Sequence, residues 1–112
     1  PMPSLVDGIH VVNTETIPGF VIQDQLGVVS GSTVRAKNVV RDISQMLKNI
    51  VGGELHQYTN LLIESRNEAF SRMLEDAKAR GANGVVNLRF ATSAVSPGAA
   101  ELFCYGTAVI VE

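Results

Sequence analysis

The side chains that could hold a soft metal ion are few and scattered along the chain. Such ions prefer thiolate, thioether and imidazole ligands, and the sequence supplies one cysteine, two histidines and three methionines. No two of them follow a Cys-x-x-Cys or His-x-x-x-His spacing, so a site would have to be assembled by the fold or between subunits. Cys104 and His56 are the candidate ligands for a divalent or soft metal ion. The alternatives are a small buried hydrophobe for Cys104 and a solvated residue at a helix start for His56.

A small anion is the second ligand class that the residues could bind. Gly52 and Gly53 immediately precede a predicted long helix, where free backbone N–H groups and the helix dipole attract negative charge. Arg41 could supply positive charge, and Arg89 stands in an otherwise apolar predicted strand, where a buried or interfacial arginine needs a carboxylate or phosphate partner. The alternatives are a flexible turn for the glycine pair, which lacks a phosphate-loop lysine, and a salt bridge between subunits for Arg89.

Catalytic residues are not predicted, because no acid and base have a spacing that forces them together. Asp42, Glu54 and Glu64 are acids within or beside predicted helices, and a helix-surface carboxylate is usually a solvated group. We therefore rank a binding module first, a purely structural assembly second, and an enzyme with a site between subunits third.

The elements that position these residues predict an α+β subunit. Apolar positions recur every three to four residues over residues 54–80, which predicts a long amphipathic helix ending before Gly81. A short strand is predicted near residues 9–12, a short helix over 39–50, and longer strands over 20–34, 85–95 and 102–111.

The last strand decides the predicted topology. It carries no charged side chain between Leu102 and Val111, and both its alternating sets are apolar or small, so both faces must be covered. We expect it to lie centrally, antiparallel to the strands at 20–34 and 85–95. One long helix covers one sheet face only. The other needs the short helix, the N-terminal strand or another copy of the protein.

The composition favours another copy. Charged residues make up 18% of the chain, against about 25% in an average soluble domain, so a homo-oligomer is predicted. Residues 1–18, an N-terminal strand and loop, could serve as an oligomerisation arm. A net charge of −2 without a basic cluster argues against nucleic acid as a partner, and no apolar run is long enough to predict a membrane span. A single cysteine and the lack of a signal-peptide pattern predict a cytoplasmic protein.

Several short blocks carry a family resemblance. Arg41-Asp42, the Ile-Val-Gly-Gly block at 50–53, the Gly-Ala-Asn-Gly block at 81–84 and the Gly-Thr-Ala-Val block at 106–109 resemble the YbjQ family, which is labelled as heavy-metal-binding. The resemblance extends from about Gly19 to the end, and Asn87 stands where many relatives have glycine. It implies a single YbjQ-like domain over residues 1–112, a dodecin-like β-α-β-β subunit assembled as a homopentamer. The implied fold is a three-stranded antiparallel sheet with the C-terminal strand central and one long helix packed on it, plus the short N-terminal strand and short helix. It supplies no catalytic residues.

Overall fold

A computed structural model describes residues 5–35, 54–96 and 99–112 of the chain, and the side chains within 5–33, 63–93 and 101–112. The predicted short helix at 39–50 and the candidate residues Arg41, Gly52 and Gly53 lie outside the described residues, as does the side chain of His56. The elements are β1 (Leu5–Val6), β2 (Ile9–Val11), β3 (Ile22–Arg35), α1 (Glu54–Ala79), β4 (Gly84–Ser96) and β5 (Ala99–Val111).

The strands form one sheet in the order β1-β2-β4-β5-β3. As predicted, β5 is central and antiparallel to both β3 and β4, so the two strands on either side of it run parallel and are joined through α1. The α+β class and the β-α-β-β unit are confirmed. The predicted strand count is wrong in detail, because the sheet has five strands rather than three.

The additional strands come from the N-terminal segment, which joins the sheet instead of lying apart from it. Strand β2 pairs in parallel with β4, with Val11 opposite Val85. Strand β1 folds back on β2 through Asp7 and Gly8, whose φ angles are 51° and 81°. Two consecutive positive φ angles are the requirement of a type I′ hairpin turn, and Asp-Gly is a favoured pair for it.

Helix α1 packs across the sheet through a row of small and flexible residues. Ala69, Met73 and Ala77 are fully buried, and they pack in one cluster with Val29 and Cys104. The approach is closest at Gly31, where an added Cβ would overlap the carbonyl oxygen of Ala69 and the amide nitrogen of Met73. The helix therefore needs a glycine at this point of β3.

The helix ends where the glycine cap predicts. Gly81 has a φ of 79°, and its N–H donates to the Lys78 carbonyl at 3.0 Å, as expected of a left-handed C-terminal cap. Two residues later, the Asn83 amide donates to the Val111 carbonyl at 2.9 Å and accepts from the Val111 N–H at 2.8 Å. Asn83 thereby fastens the end of the helix to the end of the last strand.

A β-bulge interrupts β4 at Asn87. The register passes from Val86 opposite Thr107 to Arg89 opposite Tyr105, so β4 has one extra residue there, and Asn87 has a φ of 56°. Asparagine is among the few residues other than glycine that tolerate this conformation. The N–H groups of Asn87 and Leu88 donate to carbonyls of Thr14 and Val12, so the bulge also holds the N-terminal segment.

The N-terminal segment covers half of the sheet face opposite the helix. Ile17 is 4% exposed, and with Val12 it packs against Val86, Val109 and Val111. The prediction that both faces of the last strand are covered therefore holds in its C-terminal half, and the cover is the chain's own N-terminal segment. Among the described residues, no helix is both long and apolar enough to cross a membrane.

Candidate functional site

The sheet face opposite the helix is uncovered beyond the N-terminal segment. We call it the open face and define it by the side chains that alternate with the buried residues of the three long strands. On β3, Val28 is 65% exposed and precedes the fully buried Val29, and on β5, Tyr105 is 37% exposed and follows the buried Cys104. The strand pairings complete the open face as follows: Val28, Ser30 and Ser32 on β3; Glu101, Phe103, Tyr105 and Thr107 on β5; Arg89, Ala91 and Ser93 on β4.

An aromatic pair stands in the middle of the open face. The rings of Phe103 and Tyr105 stack with centroids 5.5 Å apart and an interplanar angle of 27°. Strand β3 places Ser32 and Ser30 beside them, and β4 places Ala91 beside Phe103. The pair is therefore a ridge with Ser30 and Ser32 on its β3 side and Arg89 and Ala91 on its β4 side, and the small residues leave room for a flat or apolar group beside the rings.

Arg89 lies at one side of this ridge and is held in place by backbone oxygens. Its Nη1 donates to the carbonyls of Asn13 and Leu88, both at 2.8 Å. Among the described residues, Nε and Nη2 have no acceptor. One edge of the guanidinium is therefore left for a carboxylate or phosphate, the groups that match its planar fork.

Cys104 lies on the other side of the sheet, in the core beneath the helix. It is 0% exposed, and its thiol donates to the Met73 Sδ at 3.6 Å. Burial raises the pKa of the Cys104 thiol to about 11, so the group is a protonated thiol at neutral pH. Because metals bind the thiolate, a metal ion here would have to displace the proton and enter a closed apolar site.

Around Cys104, the described side chains form no cluster of metal ligands. In the part of the chain that the structure describes, no group of three or more His, Cys, Asp or Glu residues could hold a metal ion. His10 instead stacks on Phe20, with ring centroids 4.5 Å apart. Of the metal candidates, only Cys104 thus has a described soft neighbour, the thioether of Met73.

Further exposed apolar side chains lie on the helix side of the sheet. Phe90 alternates with Arg89 and is 40% exposed, and Ile63 of α1 is 39% exposed. Ile63 and Phe70 are seven residues apart and therefore lie on one face of the helix, with Phe70 partly buried against the core. We call Ile63, Phe70 and Phe90 the helix-side patch.

Arg89 and Cys104, the two sequence-predicted candidates whose side chains the structure describes, lie on opposite sides of the sheet. Arg89 faces away from the helix and Cys104 faces it, so they cannot belong to one site within a subunit. Sequence reasoning missed Ser30, Phe103 and Tyr105 as neighbours of Arg89. The sequence predicts the alternation of side chains along β5, but it does not predict the bulge at Asn87 that brings Arg89 to the same face as Tyr105.

Comparisons with known proteins agree with this fold. A model of the YbjQ family, described as "Putative heavy-metal-binding", matches residues 9–112. A UPF0145 protein of Hahella chejuensis is 60% identical over 102 residues, which are 91% of this chain and 98% of that protein. A UPF0145 protein of Thermococcus kodakarensis is 52% identical over 107 residues, which are 96% of this chain and 95% of that protein.

A solved structure gives the same fold at low sequence identity. It is the crystal structure of a protein of unknown function from Pediococcus pentosaceus, described as belonging to the DUF74 family. Its TM-score with this chain is 0.60 at 16% identity, covering 94% of this chain and 99% of the other. At this identity the likeness concerns the fold alone.

Proposed function

Because this chain belongs to the YbjQ family, we propose that it is a homo-oligomeric binding subunit that holds a metal ion or a small anion at the junctions between copies. The observation that carries the proposal is the open face, where Tyr105 on the central strand β5 is 37% exposed and Val28 on the neighbouring edge strand β3 is 65% exposed. Apolar side chains in the middle of a sheet are usually covered. Within one chain, the described N-terminal segment covers only the C-terminal half of β5 on this side of the sheet and leaves the open face bare.

The two uncovered surfaces support a ring of copies. The open face and the helix-side patch lie on opposite sides of the sheet and differ in composition, so each could receive the other from a neighbouring copy. Contacts between unlike surfaces generate closed rings when the rotation closes, and they allow an odd number of copies. A homopentamer, as the family resemblance implies, is the assembly we expect.

The sequence suggested that the whole of residues 1–18 could be an oligomerisation arm, but we propose that only the outermost strand of this segment contacts a neighbour. Strand β2 and Ile17 are bound to the chain's own sheet, which makes the segment part of the single domain that we propose for residues 1–112. The edge strand β1 remains available for a neighbour, since Leu5 is 47% exposed and an edge strand presents unpaired backbone groups.

Because Cys104 is a free thiol, we propose a cytoplasmic location.

Two observations divide the ligand classes. The metal alternative has the family description and the Cys104–Met73 pair. A monovalent soft ion would form a neutral unit with the thiolate there, whereas a divalent ion would leave positive charge in an apolar core.

The anion alternative is supported by Arg89, whose positive charge is already in place at the open face. Arg41, Gly52 and Gly53 stay candidates for the same anion, and His56 for a metal. We favour the anion, because the Nε–Nη2 edge of Arg89 has no acceptor among the described residues, whereas a metal ion at Cys104 would have to enter the closed core and displace the thiol proton.

Native mass spectrometry with elemental analysis tests the proposal on protein purified without a metal-affinity tag. We expect a multiple of the 12.0 kDa chain mass, carrying a non-protein mass or bound metal. Val28→Asp should dissociate the assembly, since it places a charge in the apolar contact. Val21→Asp is the matched control, because Val21 is 64% exposed but lies outside the open face.

The outcomes separate the parts of the proposal. A monomer of the wild type at micromolar concentration would contradict self-association. An intact assembly without cargo, which also gains no thermal stability from soft metals or phosphorylated metabolites, would support the purely structural alternative. Bound metal that disappears in Cys104→Ala would support the metal alternative instead of the anion.

A further inference from the structure

We infer that Ser30, Tyr105 and Arg89 form a binding row for a small organic anion with an aromatic or flat apolar body. This inference rests on the proposed function, since it names the ligand class of the site at the open face. The three residues lie directly opposite one another across β3, β5 and β4, with Ser30 paired to Tyr105 and Tyr105 to Arg89. Neighbouring strands are about 4.8 Å apart, so the row presents a hydroxyl, a phenol and a guanidinium along a span of about 10 Å.

The charges around the row favour an anion. Among the described residues of the open face, the acid is Glu101, which lies four residues from Tyr105 along β5, a distance of about 13 Å at 3.3 Å per residue. A second carboxylate, that of Asp76 on α1, accepts from the Ser30 N–H at 3.4 Å, but its charge is paired with Arg80. Arg89 is absent from the ion pairs of the described residues, which join Arg72 to Glu68, Lys78 to Asp7, and Arg80 to Asp76. Among the described residues, the positive charge of Arg89 thus has no ion-pair partner where the row meets solvent.

The way Arg89 is held adds to its suitability. Because Nη1 is bonded to the carbonyls of Asn13 and Leu88, the guanidinium has already lost much of the freedom that an exposed arginine gives up on binding. The edge formed by Nε and Nη2 can donate two parallel hydrogen bonds to a carboxylate or to a phosphate. The hydroxyls of Ser30 and Tyr105 can each donate one more.

The aromatic ridge indicates what the anion is attached to. Tyr105 belongs both to the row and to the stack with Phe103, so a ligand whose anionic group meets Arg89 can place a ring against these aromatic faces. Offset stacking of this kind stabilises a complex beyond the area buried. An aromatic carboxylate and an aromatic phosphomonoester share this chemistry, whereas inorganic phosphate has the charge without the ring.

Isothermal titration calorimetry on the full chain tests the row with three probes: phenyl phosphate, benzoate and inorganic phosphate. We expect one of the two aromatic probes to bind more tightly than inorganic phosphate, and which of them does so distinguishes a phosphate site from a carboxylate site. Arg89→Gln should weaken that binding about tenfold to a hundredfold, as expected for hydrogen bonds to a charged group. Tyr105→Phe keeps the stack and removes one donor, so it should weaken binding about fivefold.

Arg66→Gln is the matched control, since Arg66 is an exposed arginine of α1 outside the open face, and it should bind like the wild type. Arg89→Lys keeps the positive charge but lacks the edge with two parallel donors, so its affinity for the probe should lie between those of the wild type and Arg89→Gln. This graded loss of affinity would not be produced by a folding defect of the glutamine variant alone. An oligomeric wild type that binds none of the probes, or binds all three equally, would overturn the row and leave the proposed function standing. The row would also be overturned if Arg89→Gln dissociated the oligomer and the wild type bound none of the probes, because Arg89 would then pair with a carboxylate of a neighbouring copy.

Discussion

Val28 and Val29 are adjacent in β3 and have the same side chain, yet Val28 is 65% exposed and Val29 is 0% exposed. The difference is the side of the sheet. Val29 faces α1 and packs with Met73, Cys104 and Ala108, whereas Val28 faces away from the helix. The helix side of β3 and β5 is covered by the chain itself, whereas the opposite side is covered only over the C-terminal half of β5.

The helix side of the sheet is stabilised by contacts within one chain, whereas the open face would be stabilised by contacts with a neighbouring copy or a ligand. The helix side depends on close contact, as the absence of room at Gly31 shows. The open face instead exposes an aromatic ridge and a held arginine, features that suit a ligand or a neighbour. Substitutions on the two sides should therefore act on different quantities, the free energy of unfolding on one side and association or binding on the other.

The largest effect is expected at the closest contact of the helix side. Gly31→Ala places a Cβ against backbone atoms of Ala69 and Met73, which cannot rotate away, so the helix must move. We expect a loss of at least about 3 kcal/mol in the free energy of unfolding, measured by urea denaturation. Ser30→Ala, the neighbouring position on the open face, should change this free energy by less than about 0.5 kcal/mol. Equal effects at the two positions would contradict the assignment of faces.

The next largest effect should come from the covered half of the opposite face. Ile17→Ala removes the buried side chain that packs on Val86, Val109 and Val111, and we expect it to cost about 3 kcal/mol. Glu15→Ala, in the same segment but exposed, should have little effect on the denaturation midpoint. If Ile17→Ala were as harmless as its control, the N-terminal segment would not cover the sheet in solution.

The two valines provide the most direct test. Val29→Ala should lower the free energy of unfolding by about 2 kcal/mol, because it leaves a cavity among close-packed residues. Val28→Ala should change the stability of the dilute monomer by less than about 0.5 kcal/mol and should instead weaken self-association, as read by sedimentation velocity. A loss of monomer stability in both variants would mean that the open face is buried within a single chain.

The smallest effect concerns the pH dependence of the helix side. Burial raises the pKa of the Cys104 thiol from its ordinary value of 9.0 to about 11, so the folded state keeps a proton that the unfolded state loses. Stability is thus unaffected at neutral pH and falls as the pH rises from about 9 towards 11. By pH 10 the loss is about 1.4 kcal/mol. The wild type should show this slope in urea denaturation at pH 7 to 10, and Cys104→Ala should lack it. Identical slopes would mean that the thiol is hydrated.

Much of the fold could be predicted from the sequence. The run of uncharged residues in β5 identified the central strand, because any charge there would face a covered surface. The long helix was predicted over residues 54–80 and observed at Glu54–Ala79, since the apolar spacing and the Gly81 cap are both local signals. The N-terminal hairpin was missed, although Asp7-Gly8 between apolar residues is a strong hairpin signal.

The open face was harder to predict. Cys104 was correctly given a buried alternative, because free cysteines in central strands are usually small hydrophobes. The hydrogen bonds of Asn83 with Val111 and of Arg89 with the Asn13 carbonyl join residues far apart in the sequence, and no local sequence pattern predicts them. The partners of Ser30 also depend on the register of β3 against β5, which shifts twice near Gln25.

The extra residue at Asn87 sets the parity of the rest of β4. Because side chains alternate along a strand, a shift of one residue reverses every later position. Without the bulge, Arg89 would point beneath the helix into the apolar layer, and Phe90 would stand beside the aromatic ridge. The backbone conformation of one asparagine therefore decides whether this guanidinium stands at the surface or is buried as a charge in the apolar layer.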